Sequence, residues 1–342
     1  MVNLRDLTYE GFLSLAAAMG EKPYRAGQLY RWVYSRGVSS IDEMTDISLV
    51  LRERLKKEYA IAGLYLTDTL ASEDGTVKLA YELSDGLKIH SVIMPDGKRT
   101  TICVSTQAGC ALGCGFCLTG TGGYKRNLTL SEMAGQVLSA REVAGEGREI
   151  TNIVFMGMGE PLLNLDTLIE FINILIDPAG FAISHNRITV STAGITPSLE
   201  RLSRDTNVNL AVSLNAATDS LRSELMPVNR KYPLKGLMEA LRVYPLQGKK
   251  HLTIEYVLLG GVNDRENDAR ALLRLLAGVR CKVNLIPFNP FAGAAFKSPH
   301  DEAVERFRDI LMKAGYMAVI RKSRGADIGA ACGQLKARDF VA

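Results

Sequence analysis

The spacing of apolar and polar positions divides this chain of 342 residues into three stretches with different patterns. In residues 1–60 apolar side chains recur about every three to four positions, which predicts an N-terminal helical accessory domain. Residues 61–99 alternate polar and apolar positions between turn sequences such as Ser72-Glu73-Asp74-Gly75, which predicts a small β extension. Residues 100–342 repeat a pattern of strand, loop and helix and end in a glycine-rich tail, which predicts the core domain.

The repeating pattern of the third stretch indicates an α/β fold. Seven short apolar segments are typical of buried strands: 100–106, 151–156, 187–192, 208–214, 252–259, 282–287 and 317–321. Five amphipathic segments predict helices: 130–144, 166–176, 234–243, 267–276 and 301–314. A capping box, Thr129-Leu130-Ser131-Glu132, suits the start of the first helix, and Gly315 suits the end of the last. Alternating strands and helices favour a parallel sheet, and we expect a partial (β/α)6 TIM-like barrel with its site at the carboxyl ends of the strands.

Composition and charge set broad limits on the class of protein. Apolar residues make up 47% of the chain and charged residues 23%, which is ordinary for a soluble globular protein. No apolar run approaches the roughly 18 residues of a membrane helix, and the first residues lack the pattern of a signal peptide. We therefore expect a cytoplasmic protein with no membrane partner. The net charge of +4 permits a polyanionic partner without requiring one.

Four of the six cysteines fall within fifteen residues, and three of them, Cys110, Cys114 and Cys117, share one short loop. Such a loop can place three thiolates on one four-iron cluster, whose full ligation by cysteine takes four. The missing ligand would leave one iron open to a substrate. Zinc is the alternative, but structural zinc sites close with a fourth Cys or His, and His185 and His251 are isolated. Three inert buried cysteines are a further alternative.

The spacing Cys-x3-Cys-x2-Cys after a predicted strand resembles that of the radical S-adenosylmethionine (SAM) superfamily. The resemblance implies a [4Fe–4S] cluster whose open iron binds SAM and whose electron splits SAM to a 5′-deoxyadenosyl radical. The loop Phe155-Met156-Gly157-Met158-Gly159-Glu160-Pro161 supports this, since it is similar to the superfamily's site for the SAM amine. Gly159 and Glu160 are the residues it implies as SAM contacts.

Further motifs narrow the resemblance to one group of enzymes. Cys103 precedes the cysteine loop, and Cys332 lies in the glycine-rich tail 326–335. The other matching segments are 120–127, 157–164, 191–194, 254–257 and 284–290. With these segments nearly the whole chain resembles the RlmN/Cfr group of radical SAM RNA adenine methyltransferases.

The resemblance implies a methyl carrier, for which there is a chemical reason. An aromatic C–H carbon of adenine is not nucleophilic, so direct transfer of a methyl cation from SAM is disfavoured. The resemblance implies that Cys332 is methylated by one SAM, loses hydrogen to the radical and bonds to the adenine. Cys103 then attacks the sulfur of Cys332, which releases the methylated base and leaves a transient disulfide.

The resemblance also implies individual contacts with SAM. Ser191, Ser213, Leu214, Asn215 and Asn289 follow or end predicted strands at matching positions. Each could instead be a local turn cap. Asn215 stands where the group usually has His, which puts that one contact in doubt.

A second departure concerns a proton acceptor. The group commonly has Glu at the position of His90. Because imidazole can transfer protons near neutral pH, His90 is a candidate for the same role.

The expected partner is 23S ribosomal RNA, with transfer RNA as an open second substrate. Arg31 and Arg36 flank Trp32 in a basic and aromatic run that suits contact with RNA, unless its aromatic residues pack a helical core. Five further candidates for phosphate contact lie in loops: Lys125, Arg126, Arg321, Lys322 and Arg324. The resemblance also implies a flavodoxin or ferredoxin as electron donor, and we expect a monomer.

Three alternatives to the favoured reaction remain open at this point. We favour methylation at C2 of adenine, the reaction of the RlmN branch, over methylation at C8, the reaction of the Cfr branch. A radical SAM enzyme acting on a small molecule or peptide is a second possibility, which Cys103 and Cys332 argue against. A non-enzymatic iron–sulfur or zinc RNA-binding module would need a closed four-ligand site, which the sequence does not offer.

Overall fold

The structure is a computed structural model that describes residues 1–145, 147–248 and 250–336. Its first stretch is helical, as predicted. The strands β1 and β2 of this stretch pair in parallel and span Val2–Asn3 and Tyr59–Ala60. The helices α1, α2 and α3 between them span Tyr9–Ala18, Tyr24–Tyr30 and Leu49–Glu58. A π-helical turn over Arg31–Ser35 continues α2.

Aromatic side chains hold this helical stretch together. Tyr30 and Tyr34 are buried, and their ring centroids lie 5.1 Å apart. Trp32 is also buried; its Nε1 donates to Asp46 Oδ1, and the Arg36 guanidinium covers its ring at 3.7 Å. Each of these three rings is covered by protein, so the aromatic residues of this run pack a helical core rather than contact RNA.

The predicted β extension continues the sheet of the core domain. Its strands β3, β4 and β5 span Tyr65–Ala71, Val77–Glu82 and Lys88–Asp96 and pair antiparallel in that order. The last of them pairs antiparallel with β6, Arg99–Cys103. Gly75 and Gly86 have φ of 81° and 79° in the two connecting turns, a conformation that glycine adopts without strain.

The core domain is a parallel sheet with helices between its strands. Its remaining strands are β7 Gln107–Gly109, β8 Tyr124–Asn127, β9 Asn152–Phe155, β10 Ile188–Thr192, β11 Asn209–Ser213, β12 Leu252–Leu258, β13 Cys281–Pro287 and β14 Ala318–Ile320. Its helices are α4 Leu118–Thr121, α5 Leu130–Ala144, α6 Leu165–Ile176, α7 Thr196–Asp205, α8 Asp219–Leu225, α9 Leu234–Arg242, α10 Glu266–Leu275 and α11 Asp301–Lys313.

The order of strands confirms the predicted partial barrel. From β6 through β9, β10, β11, β12 and β13 to β14, neighbouring strands pair in parallel. The ten-stranded sheet has β14 and β3 at its two edges, so the barrel is open. A separate hairpin of β7 and β8 lies in the connection after β6.

The structure confirms the predicted start of α5 and the predicted end of α11. Thr129 and Glu132 form the capping box of α5. Gly315 follows α11 with φ of 86°, which suits a left-handed helix end. Three helices of the core domain, α4, α7 and α8, were not among the predicted segments.

One hydrophobic core joins the three stretches. Tyr34 packs against Phe181 of the core domain with ring centroids 6.1 Å apart, and Asp6 Oδ1 accepts from the Ser131 N–H at 2.8 Å. These contacts do not test the domain boundaries at residues 60 and 99, which stay a prediction. Within the described ranges, no helix is long and apolar enough to cross a membrane.

Candidate active site

Two adjoining cavities open at the carboxyl ends of the parallel strands. The larger, about 170 Å³, is lined by Cys110, Cys114 and Cys117 of the loop after β6. It is also lined by six of the seven predicted SAM contacts: Gly159, Glu160, Ser191, Ser213, Asn215 and Asn289. The smaller, about 80 Å³, is lined by Cys103. Cys332 lines both cavities. It therefore lies between the predicted SAM site and the cavity of Cys103.

Backbone hydrogen bonds shape the cysteine loop. The Cys117 N–H donates to the Cys114 carbonyl at 3.1 Å and turns the chain between these two thiols. The Leu118 N–H donates to the Gly333 carbonyl at 2.7 Å. The loop and the tail that carries Cys332 are therefore bound directly to each other.

The thiols of this loop fit an iron–sulfur cluster. Burial raises the pKa of Cys110 to about 12 and raises that of Cys114 as well, so metal must replace the proton for either to be a thiolate at neutral pH. In the described part of the chain, no three Cys, His, Asp or Glu side chains are grouped to hold one metal ion. In a four-iron cluster each thiolate instead binds its own iron. The arrangement favours the cluster over the zinc alternative.

The loop after β9 carries the two residues predicted to meet the SAM amine. Gly159 has φ of 101°, and a Cβ there would lie 2.5 Å from the Cβ of Gln107. Glu160 is buried, and its carboxylate accepts from the N–H groups of Leu162 (3.0 Å) and Ala193 (2.8 Å). Burial raises the pKa of Glu160, while these hydrogen bonds favour its ionised form. Its remaining lone pairs can accept from an ammonium group in the cavity.

A chain of polar groups links the two cavities. Ser191 Oγ donates to Glu255 Oε2 at 2.9 Å, and the Arg321 guanidinium lies 3.4 Å from Glu255 Oε1. Glu255 lines the larger cavity and Arg321 the smaller. Sequence reasoning did not identify Glu255 as a site residue, although an acidic residue within an apolar strand is a signal for one. Arg321, a predicted candidate for phosphate contact, is half-buried and meets Glu255 at the smaller cavity, and its contact with RNA stays a prediction.

Arg222 is a second residue that sequence reasoning missed. Its side chain is fully buried, and it donates to the carbonyls of Ala193 (2.7 Å), Ser213 (3.1 Å) and Leu214 (3.1 Å). These carbonyls lie at or just beyond the ends of β10 and β11, so Arg222 fixes two loops that line the larger cavity. No motif marks it, because it lies on a short, polar helix.

The two residues after Ser213 are placed differently. Asn215 has φ of 59°, lines the larger cavity, and accepts from the Val257 N–H at 2.8 Å through Oδ1. The side chain of Leu214 is buried in the core and lines neither cavity. The structure therefore brings Asn215, but not Leu214, to the predicted SAM site.

Cys332 in the C-terminal tail and Cys103 at the end of β6 both line the smaller cavity. Asn289 Nδ2 donates to the Cys332 carbonyl at 3.2 Å and anchors the tail beside β13. Cys103 ends β6 and is buried, and burial, with a smaller effect of Cys332, raises its pKa to about 12. Both are free thiols, so the structure gives no support to the predicted disulfide in this state.

His90 lies on β5 and lines neither cavity. It is buried, and its Nδ1 finds no hydrogen-bond partner among the described residues. Burial, with smaller effects of Lys78 and Lys88, lowers the pKa of His90 to about 3. The proton-acceptor role stays a prediction, and the low pKa of an imidazole that lines neither cavity does not favour it.

The remaining basic loop residues differ in accessibility. Arg126 forms ion pairs with Glu132 (2.8 Å) and Asp85 (2.6 Å), and Arg324 donates to the Pro95 carbonyl at 3.2 Å. These two guanidinium groups hold the fold together, so the phosphate contacts predicted for them are not supported. The exposed members of the predicted set are Lys125 and Lys322.

Comparisons with known proteins agree with this geometry. The N-terminal domain of ribosomal RNA large subunit methyltransferases matches residues 2–61, and the radical SAM superfamily matches residues 104–273. The crystal structure of a radical SAM methyltransferase from Sphaerobacter thermophilus superposes with a TM-score of 0.94 at 44% identity. That match covers 99% of this chain and 100% of the other.

Full-length relatives point to the same group. The dual-specificity RNA methyltransferase RlmN of Syntrophobacter fumaroxidans is 49% identical, over 98% of both chains. The protein of the same name from Geobacter sulfurreducens is 48% identical, over 99% of this chain and 93% of its own. From its cysteine loop, its tail and this identity over nearly its whole length, the chain belongs to the RlmN family of radical SAM methyltransferases.

Proposed function

We propose that this protein methylates C2 of an adenine in 23S ribosomal RNA and also acts on transfer RNA. As a radical SAM enzyme it uses a [4Fe–4S] cluster and SAM. The observation that carries the proposal is the position of Cys332, which borders the cluster cavity on one side and the Cys103 cavity on the other. The relatives named dual-specificity RNA methyltransferases support two RNA substrates and favour the C2 branch.

The residues that would hold the two groups line one cavity. Cys110, Cys114 and Cys117 would bind three irons, and the loop residues Gly159 and Glu160 would hold the amine of SAM. Together the cluster and SAM supply a 5′-deoxyadenosyl radical and a methyl group.

The chain's own cysteines would carry the methyl group to RNA. Cys332 accepts it as S-methylcysteine, loses one hydrogen atom from it, and bonds through the methylene carbon to adenine. The adduct then gives up one electron, for which the oxidised cluster would be the acceptor, and releases the proton of the ring carbon to water. Cys103 attacks Sγ of Cys332; the Sγ–CH2 bond breaks, a disulfide forms, and the carbon takes a proton to become the methyl group.

The RNA must present an accessible base. C2 of adenine lies on the minor-groove edge and is shielded within a stacked helix, so we propose that the base is unstacked or flipped toward the cavities. Four exposed basic residues are our proposed phosphate contacts: Arg31, Arg36, Lys125 and Lys322. Arg36 would act there while it covers Trp32.

The remaining partners follow from the chemistry. Cluster reduction needs an external electron, for which we propose a flavodoxin or ferredoxin. We propose a monomer, because one chain supplies all the residues that line both cavities. We place the enzyme in the cytoplasm, where its RNA substrates are found.

Analysis of RNA products tests the proposal. The reconstituted protein is incubated anaerobically with a reductant, SAM and RNA, and the nucleosides are separated by mass spectrometry. We expect 2-methyladenosine from 23S RNA and from transfer RNA. Formation of 8-methyladenosine would reassign the protein to the C8 reaction, and unmodified adenosine would contradict both.

A further inference from the structure

Helix α4 binds the C-terminal tail just beyond Cys332. Thr119 Oγ1 donates to the Leu335 carbonyl at 2.5 Å, and both residues are buried. One residue earlier in α4, the Leu118 N–H donates to the Gly333 carbonyl at 2.7 Å. These two hydrogen bonds therefore hold the tail at one and at three residues after Cys332.

Cys332 itself lies in a turn of the tail. The Gln334 N–H donates to the Ala331 carbonyl at 3.0 Å and closes this turn. Asn289 Nδ2 holds the Cys332 carbonyl at 3.2 Å, and one exposed hydrogen bond joins Gln334 Nε2 to the Pro290 carbonyl at 2.8 Å. The buried contact that follows the turn is the one from α4.

The same helix is attached to the cysteine loop. It begins at Leu118, directly after Cys117, and the Gly120 N–H donates to the Cys117 carbonyl at 3.0 Å. Because two residues span at most about 7 Å, a Cys117 side chain fixed by metal confines Thr119 to its surroundings. Cys117 lines both cavities, and Thr119 lines the smaller one together with Cys332. One turn of helix therefore joins a proposed cluster ligand to the segment that carries the methyl acceptor.

We propose that α4 couples loading of the cluster to the position of Cys332, and that Thr119 is the positioning residue. Cys110, Cys114 and Cys117 are free thiols, so a bound cluster would be what joins them into one rigid loop. That rigidity reaches the tail through the Thr119 hydroxyl. The inference rests on the carrier role of Cys332 in the proposed function. It adds that the carrier is held beside the cavities only while the cluster is bound.

Hydrogen exchange at the Gln334 amide tests the coupling without activity. Wild-type protein is measured anaerobically with the reconstituted cluster and again after a chelator has removed it. Loss of one hydrogen bond at a buried carbonyl shifts a local opening equilibrium by roughly tenfold, so we expect about tenfold faster exchange without the cluster. The Gly325 amide, which donates to Asp74 Oδ2 at 3.1 Å, is the internal reference and should exchange equally in both forms. Equal exchange at Gln334 in the two forms would overturn the coupling.

Thr119→Val isolates the contribution of the hydroxyl. It keeps the shape of the side chain and all three thiols, so the four-iron spectrum should stay, while exchange at Gln334 should rise about tenfold. Thr119→Ser keeps the hydroxyl and should exchange close to wild type. Thr121→Val is the matched control, because Thr121 Oγ1 donates to the Leu118 carbonyl at 2.8 Å within α4 rather than to the tail. It should leave exchange at Gln334 unchanged.

The outcomes separate this inference from the proposed function. Wild-type exchange at Gln334 in Thr119→Val with its cluster bound would remove Thr119 from the coupling. If that variant failed to fold, the two forms of the wild-type protein would still decide whether the cluster orders the tail. Absence of Cys332 methylation in wild type would overturn the proposed function instead, and the exchange measurements would still report on α4.

Discussion

Asp327 in the C-terminal tail accepts a hydrogen bond of 2.6 Å from Ser72 in the turn between β3 and β4. A second contact of this kind joins Asp74 Oδ2 to the Gly325 N–H at 3.1 Å. The β extension and the tail that carries Cys332 are therefore attached to each other through one turn. The extension therefore helps to hold the tail with Cys332 against the cavities.

Removing that attachment should loosen the tail. Because a hydrogen bond to a charged group contributes about 1.5–3 kcal/mol, we expect Asp74→Ala to raise hydrogen exchange at the Gly325 amide about tenfold. Asp85→Ala is the control, since Asp85 lies in the next turn and pairs with Arg126 instead. Equal exchange at Gly325 in wild type and Asp74→Ala would show that the turn does not hold the tail.

Gly159 should tolerate no side chain. A Cβ would lie 2.5 Å from the Cβ of Gln107 at a φ of 101°, so we expect Gly159→Ala to cost about 1–3 kcal/mol and to weaken SAM binding. Gly236 lies within α9, where an added Cβ would meet no atom within 4 Å, so Gly236→Ala should instead stabilise by about 0.5–1 kcal/mol. Denaturant unfolding and SAM titration measure both effects. Similar stability of the two variants would contradict the close approach.

Much of the barrel could be predicted because buried parallel strands are short apolar runs. The segment 252–259 is observed as Leu252–Leu258. The segment 100–106 ends earlier, at Cys103, because the Val104 carbonyl accepts from the Gly157 N–H and the Thr106 N–H donates to the Met158 carbonyl, both in the loop after β9. Helix α8 was missed because seven mostly polar residues carry little periodic signal.

The site was predictable where a motif carries the chemistry, and less so elsewhere. The cysteine spacing marked Cys110, Cys114 and Cys117, which the structure brings to one cavity. The pairing of Arg321 was not predictable because the sequence gives its charge but not its direction. Only the fold shows that it points toward Glu255 rather than to solvent.

His90 should make the fold sensitive to acid. The unfolded imidazole takes up a proton near its ordinary pKa of 6.5, whereas burial holds the folded pKa at about 3. The contribution of the neutral His90 to the free energy of unfolding is therefore fully present above about pH 6.5 and is lost as the pH falls toward 3. We expect His90→Leu to reduce this loss in denaturant unfolding measured over that range. His251→Leu, at an exposed position, should keep the wild-type profile; the same profile in His90→Leu would contradict the assignment.

Cluster assembly should depend on the cysteine loop alone. Cys114→Ala removes a thiol that lines the larger cavity, so we expect loss of the brown four-iron spectrum and of its change on adding SAM. Cys281 is buried at the start of β13 and lines neither cavity, so Cys281→Ala should keep both. Absorption and iron analysis after anaerobic reconstitution measure the effect. Wild-type protein that binds one zinc and no iron would contradict the cluster.

The most direct measurement follows RNA on the Cys103→Ala protein. Without Cys103 the thioether between Cys332 and adenine can form but cannot be resolved, because no other described thiol lines the smaller cavity except Cys332 itself and the cluster ligand Cys117. Labelled RNA, a denaturing gel, ribonuclease digestion and peptide mapping should therefore show RNA attached through Cys332. Cys332→Ala should give neither attachment nor methylated adenine. Normal turnover by Cys103→Ala with no attached RNA, or methylation by Cys332→Ala, would contradict the carrier mechanism.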